Sequence, residues 1–304
     1  FFFKHKPPNQ MLRSLVGSEM CIRDSFDTHL HLIYPNKIAY PWLSEVPALN
    51  SAHSYEDYEI QANRLGIEAC FHMEVDVLEN DIKNETALLE DLSSQPNSKI
   101  KGIISASRPE HHEFNEFLMW ASQTSLIKGF RRVLHVVPND VSQNSLFREN
   151  IKLLSNYDFT FDICARADQL PIVIELIDSC PNVQFILDHC GVPDIKNGFY
   201  SPWAEQMKDV AKRPNVIAKI SGVIAYGDAD SWALSDIKPY FDHTVDVFGV
   251  ERIIWGSDSP VCNLGGGLAT WVALTHNLTA EWSKYERNCF YNENAKKLWA
   301  IEGI

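Results

Sequence analysis

The chain has 304 residues, of which 45% are hydrophobic and 22% are charged, a composition typical of a globular protein with a large core. Its formal net charge of −13 and its lack of a basic run predict that it binds neither nucleic acid nor an anionic membrane surface. The longest apolar runs fall far short of the roughly 20 residues that cross a bilayer, so we expect no membrane-spanning segment.

The first 25 residues lack the hydrophobic periodicity of a helix or a strand, and they match neither a signal peptide nor a transit peptide. Within them, LVGSEMCIRDS (residues 15–25) resembles one reading frame of a transposon-based sequencing adapter. We therefore interpret residues 1–25 as a non-native, disordered extension and residues 26–304 as the folded domain. On this interpretation the native start is missing, and any targeting signal is missing with it.

Seven cysteines are spread along the chain without a Cys-x-x-Cys pair. In a chain of this length the pattern favours free, buried thiols in a reducing compartment over a disulfide framework. We therefore expect a cytoplasmic protein.

From Phe26 onward, short apolar runs rich in β-branched residues alternate with longer segments of helical period. The predicted strands are residues 26–32, 67–75, 100–106, 127–136, 159–165, 183–189, 215–221 and 252–258. Two helical segments, residues 269–278 and 292–301, follow the eighth strand. Eight βα repeats fit one barrel better than a doubly wound sheet, and no Gly-x-Gly-x-x-Gly follows the first strand. The sequence therefore predicts an α/β fold, a single (β/α)8 TIM barrel.

Polar side chains gather at the predicted carboxyl ends of the strands, where TIM barrels carry their active sites. They are His29, His31, Glu74, Ser105, Arg131, Arg132, Asp162, Asp188, His189, Lys219, Ser221 and Asp258. Because a buried polar residue is costly unless it is paired, their repeated placement at one end indicates a shared site.

The first strand carries Asp27, His29 and His31 in alternation, so we expect them on one side and Phe26 on the other, facing the helices. A His-x-His strand lets two imidazoles approach one ion at about 2.0–2.1 Å, as in catalytic metal sites. Asp258 ends the eighth strand, next to the first strand where the barrel closes. We therefore predict His29, His31 and Asp258 as metal ligands; the alternatives are a hydrogen-bonded core histidine pair and a turn-capping Asp258.

Three further residues are candidates for the same site. His189 ends the sixth strand, and we predict a catalytic role for it together with Asp258. Arg131 lies inside the barrel, where a guanidinium needs an anion or a carbonyl partner, so we assign it to substrate binding. Alternation turns Arg132 to the opposite face. We also assign Glu74 to substrate binding; a metal ligand or a salt bridge at the rim are the alternatives.

The segment FDTHLHLIYPNKIAYPWL resembles the opening of the amidohydrolase-related TIM barrels that include L-fuconolactonase and L-rhamnono-lactonase. Further matching segments follow in the same order: IKGFRRVLH, FTFDICARADQLP, VQFILDHCGVPDI, PNVIAKISGVI, FGVERIIWGSDSPVC and NENAKKLWAI. The resemblance implies hydrolysis of a sugar-acid lactone, with His29, His31, Arg131, His189 and Asp258 around the substrate. The sequence departs from the family pattern at three places. Ser259 stands where a Trp is usual, Val192 stands where a Lys is usual, and the fifth strand lacks a His.

The resemblance leads to a mechanistic expectation in which Asp258 accepts a proton from the attacking water. His29 and His31 hold either a divalent metal, with zinc the metal expected, or the oxyanion itself. His189 and Arg131 orient the lactone carbonyl and the hydroxyls. The expected partner is a small-molecule lactone. The sequence leaves open whether the protein forms a homo-oligomer. The alternatives are a metal-dependent decarboxylase of the same superfamily and a barrel that binds without catalysis.

Overall fold

The computed structural model describes residues 25–229 and 231–302. The interpretation of residues 1–24 as a non-native extension lies outside these ranges. The strands are β1 (Ser25–Leu30), β2 (Ile67–Met73), β3 (Ile100–Ala106), β4 (Ile127–Val133), β5 (Thr160–Cys164), β6 (Phe185–Leu187), β7 (Val216–Ser221) and β8 (Ile253–Gly256).

The α-helices lie between and after the strands. They are α1 (Tyr55–Leu65), α2 (Ile82–Ser93), α3 (Phe114–Ala121), α4 (Asp140–Gln143), α5 (Ser145–Lys152), α6 (Leu170–Ser179), α7 (Ser201–Val210), α8 (Leu234–Phe248), α9 (Leu268–Leu278), α10 (Lys284–Asn288) and α11 (Asn294–Trp299). Helix α1 shows how local sequence sets the ends: the Ser54 hydroxyl caps its first turn and Gly66, at φ 74°, ends it. None of the helices in the described ranges is long and apolar enough to cross a membrane.

The strands form one sheet in the order β1 to β8, and each neighbouring pair is parallel. The sheet curves until β1 meets the residues that follow β8. There the Asp258 N–H donates to the His29 carbonyl at 2.8 Å, and the His31 N–H donates to the Ser259 carbonyl at 2.7 Å. The predicted TIM barrel is confirmed, and the closing seam joins the two segments that carry the predicted metal ligands.

The strand limits differ slightly from the predicted ones. β1 begins at Ser25, one residue before the predicted domain start, and Ser25 is buried with its N–H donating to the Gly66 carbonyl at 3.1 Å. β6 ends at Leu187, so His189 lies beyond the strand in a turn with a positive φ of 52°. A turn therefore positions His189, and apolar periodicity does not locate such a turn.

The prediction that Phe26 faces the helices and Asp27 faces the barrel interior is wrong. Phe26 belongs to a buried cluster with residues of β2, β3, β6 and β8, which can meet only inside the barrel. Asp27 instead accepts a hydrogen bond at 2.8 Å from Tyr58 in α1. The pairing of β1 with β2 shifts register between Asp27 and Leu30, and this irregularity reverses the alternation so that His29 still faces inward.

The barrel interior is apolar at its amino-terminal end. Phe26, Phe71, Ile104, Ile186 and Ile254 fill it, and Trp299 of α11 packs on Phe71 with the rings 4.7 Å apart. A second and larger apolar cluster lies between the strands and the surrounding helices. The six described cysteines are buried and unpaired, as predicted for free thiols. With one end of the interior filled, polar groups can approach one another only at the other end.

Candidate active site

The three predicted metal ligands come together at the seam. His29 Nε2 lies 3.2 Å from His31 Nε2. Asp258 Oδ1 lies 3.3 Å from His31 Nε2 and 3.6 Å from His29 Nε2. All three side chains are buried. The atoms therefore form a nearly regular triangle of two imidazole nitrogens and one carboxylate oxygen.

Backbone geometry holds Asp258 in this position. Its φ is 56°, a left-handed conformation that is uncommon for a residue other than glycine. Gly222, after β7, lies directly against it, and a Cβ at Gly222 would stand 2.3 Å from Asp258 Cβ and 2.7 Å from Oδ2. A glycine is therefore required after β7 for the Asp258 carboxylate to reach the histidines.

The triangle fits a divalent ion. The His31 Nδ1–H donates to the Met73 carbonyl at 3.0 Å, and His29 Nδ1 faces Asp188 Oδ1 at 3.5 Å. Burial lowers the pKa of both histidines, which favours neutral rings with their Nε2 lone pairs turned toward each other. Two such lone pairs need a cation between them, and ligands about 2.1 Å from a tetrahedral ion lie about 3.4 Å apart.

The positive charge of Arg131 would repel a cation bound within the triangle. Arg131 Nη1 lies 3.4 Å from His29 Nε2, the same nitrogen that completes the triangle. A second set of potential ligands shares two members with the first, because one atom each of His29, His189 and Asp258 lie within 4.8 Å of one another. Both sets depend on His29 and Asp258.

His189 lies on the other side of the Asp258 carboxylate. Its Nδ1 is 3.6 Å from Asp258 Oδ2 and 2.9 Å from the Ser221 hydroxyl at the end of β7. Burial by itself would lower the pKa of His189, but the nearby carboxylates of Asp258 and Asp188 raise it to about 9. The ring is therefore positively charged at neutral pH and can donate a proton or a hydrogen bond.

Arg131 is held by Glu74. Its Nε donates to Glu74 Oε1 at 2.6 Å, and its Nη2 donates to the Glu74 carbonyl at 2.8 Å. The second carboxylate oxygen of Glu74 accepts the Asp76 N–H at 2.6 Å. Burial raises the pKa of Glu74, but the guanidinium more than compensates and keeps it below its ordinary value. Glu74 thus has both oxygens occupied beneath Arg131, in a salt bridge of the kind given above as an alternative to substrate binding.

Beneath the predicted residues lies a charged cluster. Lys219 in β7 is fully buried and forms ion pairs with Asp162 of β5 and, at 3.0 Å, with Asp188 after β6. Burial disfavours its charge, but the two carboxylates raise the pKa of Lys219 above its ordinary value. The sequence marked all three as polar residues at strand ends, but the pair of Lys219 with Asp162 joins strands that are not adjacent, so local pattern cannot predict it.

Three other side chains near the site were not predicted. Tyr226 lines the cavity and packs its ring edge on His189, with the centroids 5.9 Å apart. Cys164 Sγ lies 3.4 Å from His135 Nδ1. His135 and Tyr226 follow their strands in short 3-10 turns, and only a polar or aromatic residue after a strand could have signalled them.

A cavity of about 380 Å³ opens above these groups, within the range of about 300–1,000 Å³ for small-molecule sites. Its lining comes from the strand ends and the loops that follow them: His31, Ile33, Trp42, Glu45, Val46, Leu49, Val75, Asp76, Arg131, Val133, His135, Val136, Cys164, His189, Tyr226, Asp258, Pro260 and Val261. Four of the predicted site residues line it, His29 lies directly behind them and Glu74 lies beneath Arg131.

The family model described as Amidohydrolase matches residues 26–301, nearly the whole of the barrel. The chain belongs to the amidohydrolase family. This amidohydrolase is 25% identical to the uncharacterized protein y4mH of Sinorhizobium fredii over 294 residues, which is 90% of this chain and 98% of that protein. It is 29% identical to an L-fucono-1,5-lactonase of Burkholderia ambifaria over 140 residues, 46% of this chain and about half, 48%, of the relative.

The barrel of this amidohydrolase also resembles that of solved relatives. The crystal structure of an amidohydrolase from Burkholderia multivorans with bound zinc superposes with a TM-score of 0.83. The match covers 92% of this chain and all of that chain at 22% sequence identity. At this identity the likeness supports the shared fold and says nothing of the reaction.

Proposed function

We propose that this amidohydrolase hydrolyses a lactone, with sugar-acid lactones as the first class to test. The observation that carries the proposal is Asp258 Oδ2, which lies 3.6 Å from His189 Nδ1 but forms no hydrogen bond with the described residues. Asp258 Oδ2 is buried and has no hydrogen-bond partner among the described residues, although the same carboxylate lines the cavity. A buried carboxylate oxygen without a donor is poised to accept a proton from a water molecule. The lactonase relative supports an ester of this cyclic type.

In the proposed reaction, Asp258 Oδ2 takes a proton from water while the water oxygen attacks the ester carbonyl carbon. The carbonyl π bond opens to an oxyanion, which the positive charges of His189 and Arg131 stabilise. The oxyanion then collapses, the ring C–O bond breaks, and the leaving alkoxide receives a proton back from Asp258. The product is a hydroxy acid, and Asp258 returns to its charged form.

The remaining residues hold these groups in place. We propose that Glu74 acts as a positioning residue for Arg131 and does not contact the substrate. Lys219 and Asp188 would fix the orientation of His29 from below. A divalent ion held by His29, His31 and Asp258 would polarise the carbonyl and make bound water more acidic.

The test is a screen of purified protein against aldonolactones with a pH indicator, because ring opening releases one proton per turnover at neutral pH. We expect opening of at least one aldonolactone, and loss of that activity in Asp258→Asn. Equal opening by the wild type and Asp258→Asn would remove Asp258 from the reaction, and no opening above the uncatalysed rate for any lactone would contradict the proposed function. Release of carbon dioxide from a hydroxybenzoate, with no lactone opened, would replace the proposal with decarboxylation.

The metal ligands have a test that does not use activity. We expect elemental analysis of the purified wild type to find about one divalent ion per chain, and His31→Gln to lose most of it. His53→Gln is the matched control, because His53 is half-buried, pairs with Ile33 in an isolated bridge and lies outside the triangle. Equal metal content in the wild type and His31→Gln would remove His31 from the ligand set.

A further inference from the structure

The upper part of the cavity is apolar. Ile33, Val46, Leu49, Val136 and Val261 all line it, and each follows the carboxyl end of a strand, farther along the chain than the catalytic groups. Trp42 belongs to the same wall, and its indole N–H is already donated to the Val75 carbonyl at 2.9 Å. The wall is therefore assembled from the connections after β1, β4 and β8, and it offers few hydrogen-bonding groups to a ligand.

Among the described residues, the cations that line the cavity already have carboxylate partners. Among the described lining residues, Arg131 is the sole lysine or arginine, and Glu74 neutralises it through the contact at 2.6 Å. His189 lies 3.6 Å from Asp258, Asp76 lies 3.7 Å from Arg108, and Glu45 adds a further carboxylate to the lining. A substrate carboxylate, sulfonate or phosphate would therefore have to compete with a carboxylate of the protein for each cation of the described lining.

We propose that the substrate is a neutral lactone whose exocyclic substituent is an alkyl or aryl group larger than methyl. This inference rests on the proposed lactone hydrolysis and narrows its substrate class, from sugar-acid lactones in general to lactones whose exocyclic group is apolar. The lactone carbonyl would lie against Asp258, and the substituent would lie along the wall formed by Ile33, Val46, Leu49, Val136 and Val261. A methyl substituent can contact only a few of these side chains at once. A longer alkyl substituent contacts more of them and therefore binds more tightly.

Polar and apolar substituents differ in what they lose when they leave water for this wall. A substituent hydroxyl against this wall would lose its water without gaining a partner, whereas each methylene buried there gains about fourfold in affinity. A charged substituent would lose still more on leaving water. The wall therefore selects against polyhydroxylated and anionic substituents and in favour of apolar ones.

The experiment compares kcat/KM for lactones with the same ring: the unsubstituted parent, its alkyl homologues, a polyhydroxylated lactone and a carboxylated lactone. We expect kcat/KM to rise about fourfold for each of the first few methylenes. The polyhydroxylated and carboxylated lactones should fall below the longer alkyl lactones. A flat or falling alkyl series, or a carboxylated lactone cleaved best, would overturn the inference.

Wall variants test whether these side chains cause the preference. Val46→Thr and Val136→Thr keep the shape of valine and replace one methyl group by a hydroxyl. We expect Val46→Thr to reduce the ratio of alkyl to parent kcat/KM severalfold, and Val136→Thr to reduce it less, because the Val136 side chain is 58% exposed. Val247→Thr in α8, partly buried on the outer layer, is the matched control and should leave the ratio unchanged. An unchanged ratio in both wall variants contradicts the inference.

Lactams of the same ring separate the two proposals, because they resist hydrolysis and their binding can be measured by calorimetry. Tighter binding of alkyl lactams in a protein that opens no lactone would reject lactone hydrolysis and keep the apolar preference. Lactone opening without any preference for alkyl lactams would keep the proposed function and reject this inference.

Discussion

The two ends of the barrel interior have opposite chemistry. At the amino-terminal end, Phe26, Phe71 and Ile254 fill the space, and Trp299 covers it. At the carboxyl end, the charges of Arg131, Lys219, Asp188 and their partners are buried within one cluster. Burial of apolar surface at the amino-terminal end stabilises the folded state. At the carboxyl end, burial of charged groups has an unfavourable desolvation free energy, but it places the reactive groups together. Stability and chemistry are thus separated along one axis.

The largest expected effect is on chemistry alone. Asp258→Asn removes the proton acceptor but keeps the shape of the side chain, so kcat/KM for any lactone that the wild type opens should fall about 10²–10⁴-fold. The thermal midpoint should change little by comparison. Asp242→Asn, in an exposed ion pair with Lys238, is the control and should match the wild type. Hydrolysis by Asp258→Asn near the wild-type rate would separate Asp258 from the reaction.

At the amino-terminal end of the barrel we expect a substitution to change stability and to leave catalysis unchanged. Phe71 is fully buried between Phe26 and Trp299, and Gly102 leaves room for its ring. Phe71→Ala should lower the free energy of unfolding by about 3–5 kcal/mol, measured in urea, while kcat per folded molecule is kept. Met119→Ala, at an exposed position, should change stability by less than about 0.5 kcal/mol. A large loss of kcat in folded Phe71→Ala would show that the two ends are coupled.

Substitution of Lys219 shows how much the buried ion pairs at the carboxyl end contribute to the free energy of unfolding. Lys219→Met leaves the buried carboxylates of Asp162 and Asp188 without their shared cation, so the free energy of unfolding should fall by about 3–5 kcal/mol. The double variant Lys219→Met with Asp162→Asn should be less destabilised than the sum of the single variants, because it removes one of the unpaired charges. Strict additivity in urea denaturation would indicate that the ion pair contributes no coupling.

The smallest expected effect lies within the substrate site. Glu74→Gln keeps a hydrogen-bond acceptor for Arg131 but removes the charge, so KM should rise about tenfold with a smaller change in kcat. Glu110→Gln is the matched control, because Glu110 pairs with the outward-facing Arg132 at 2.9 Å. A kcat loss as large as that of Asp258→Asn would place Glu74 in direct contact with the reacting atoms.

Several features of the fold follow from local pattern. Runs of apolar, β-branched residues predicted eight strands, and each observed strand overlaps its predicted range. The His29-x-His31 spacing and the position of Asp258 after the last strand predicted their meeting, because the first and last strands of a barrel are neighbours. These inferences needed only periodicity and chain order.

Other features required contacts between distant parts of the chain. The register shift after Asp27 reversed the expected facing of Phe26, and no residue of β1 taken alone signals it. The pairing of Lys219 with Asp162 joins strands on either side of β6, and the apolar wall joins three separate loops. Periodicity reports which side chains prefer burial, whereas the barrel's closure decides which buried groups face one another, because that depends on the register of all eight strands together.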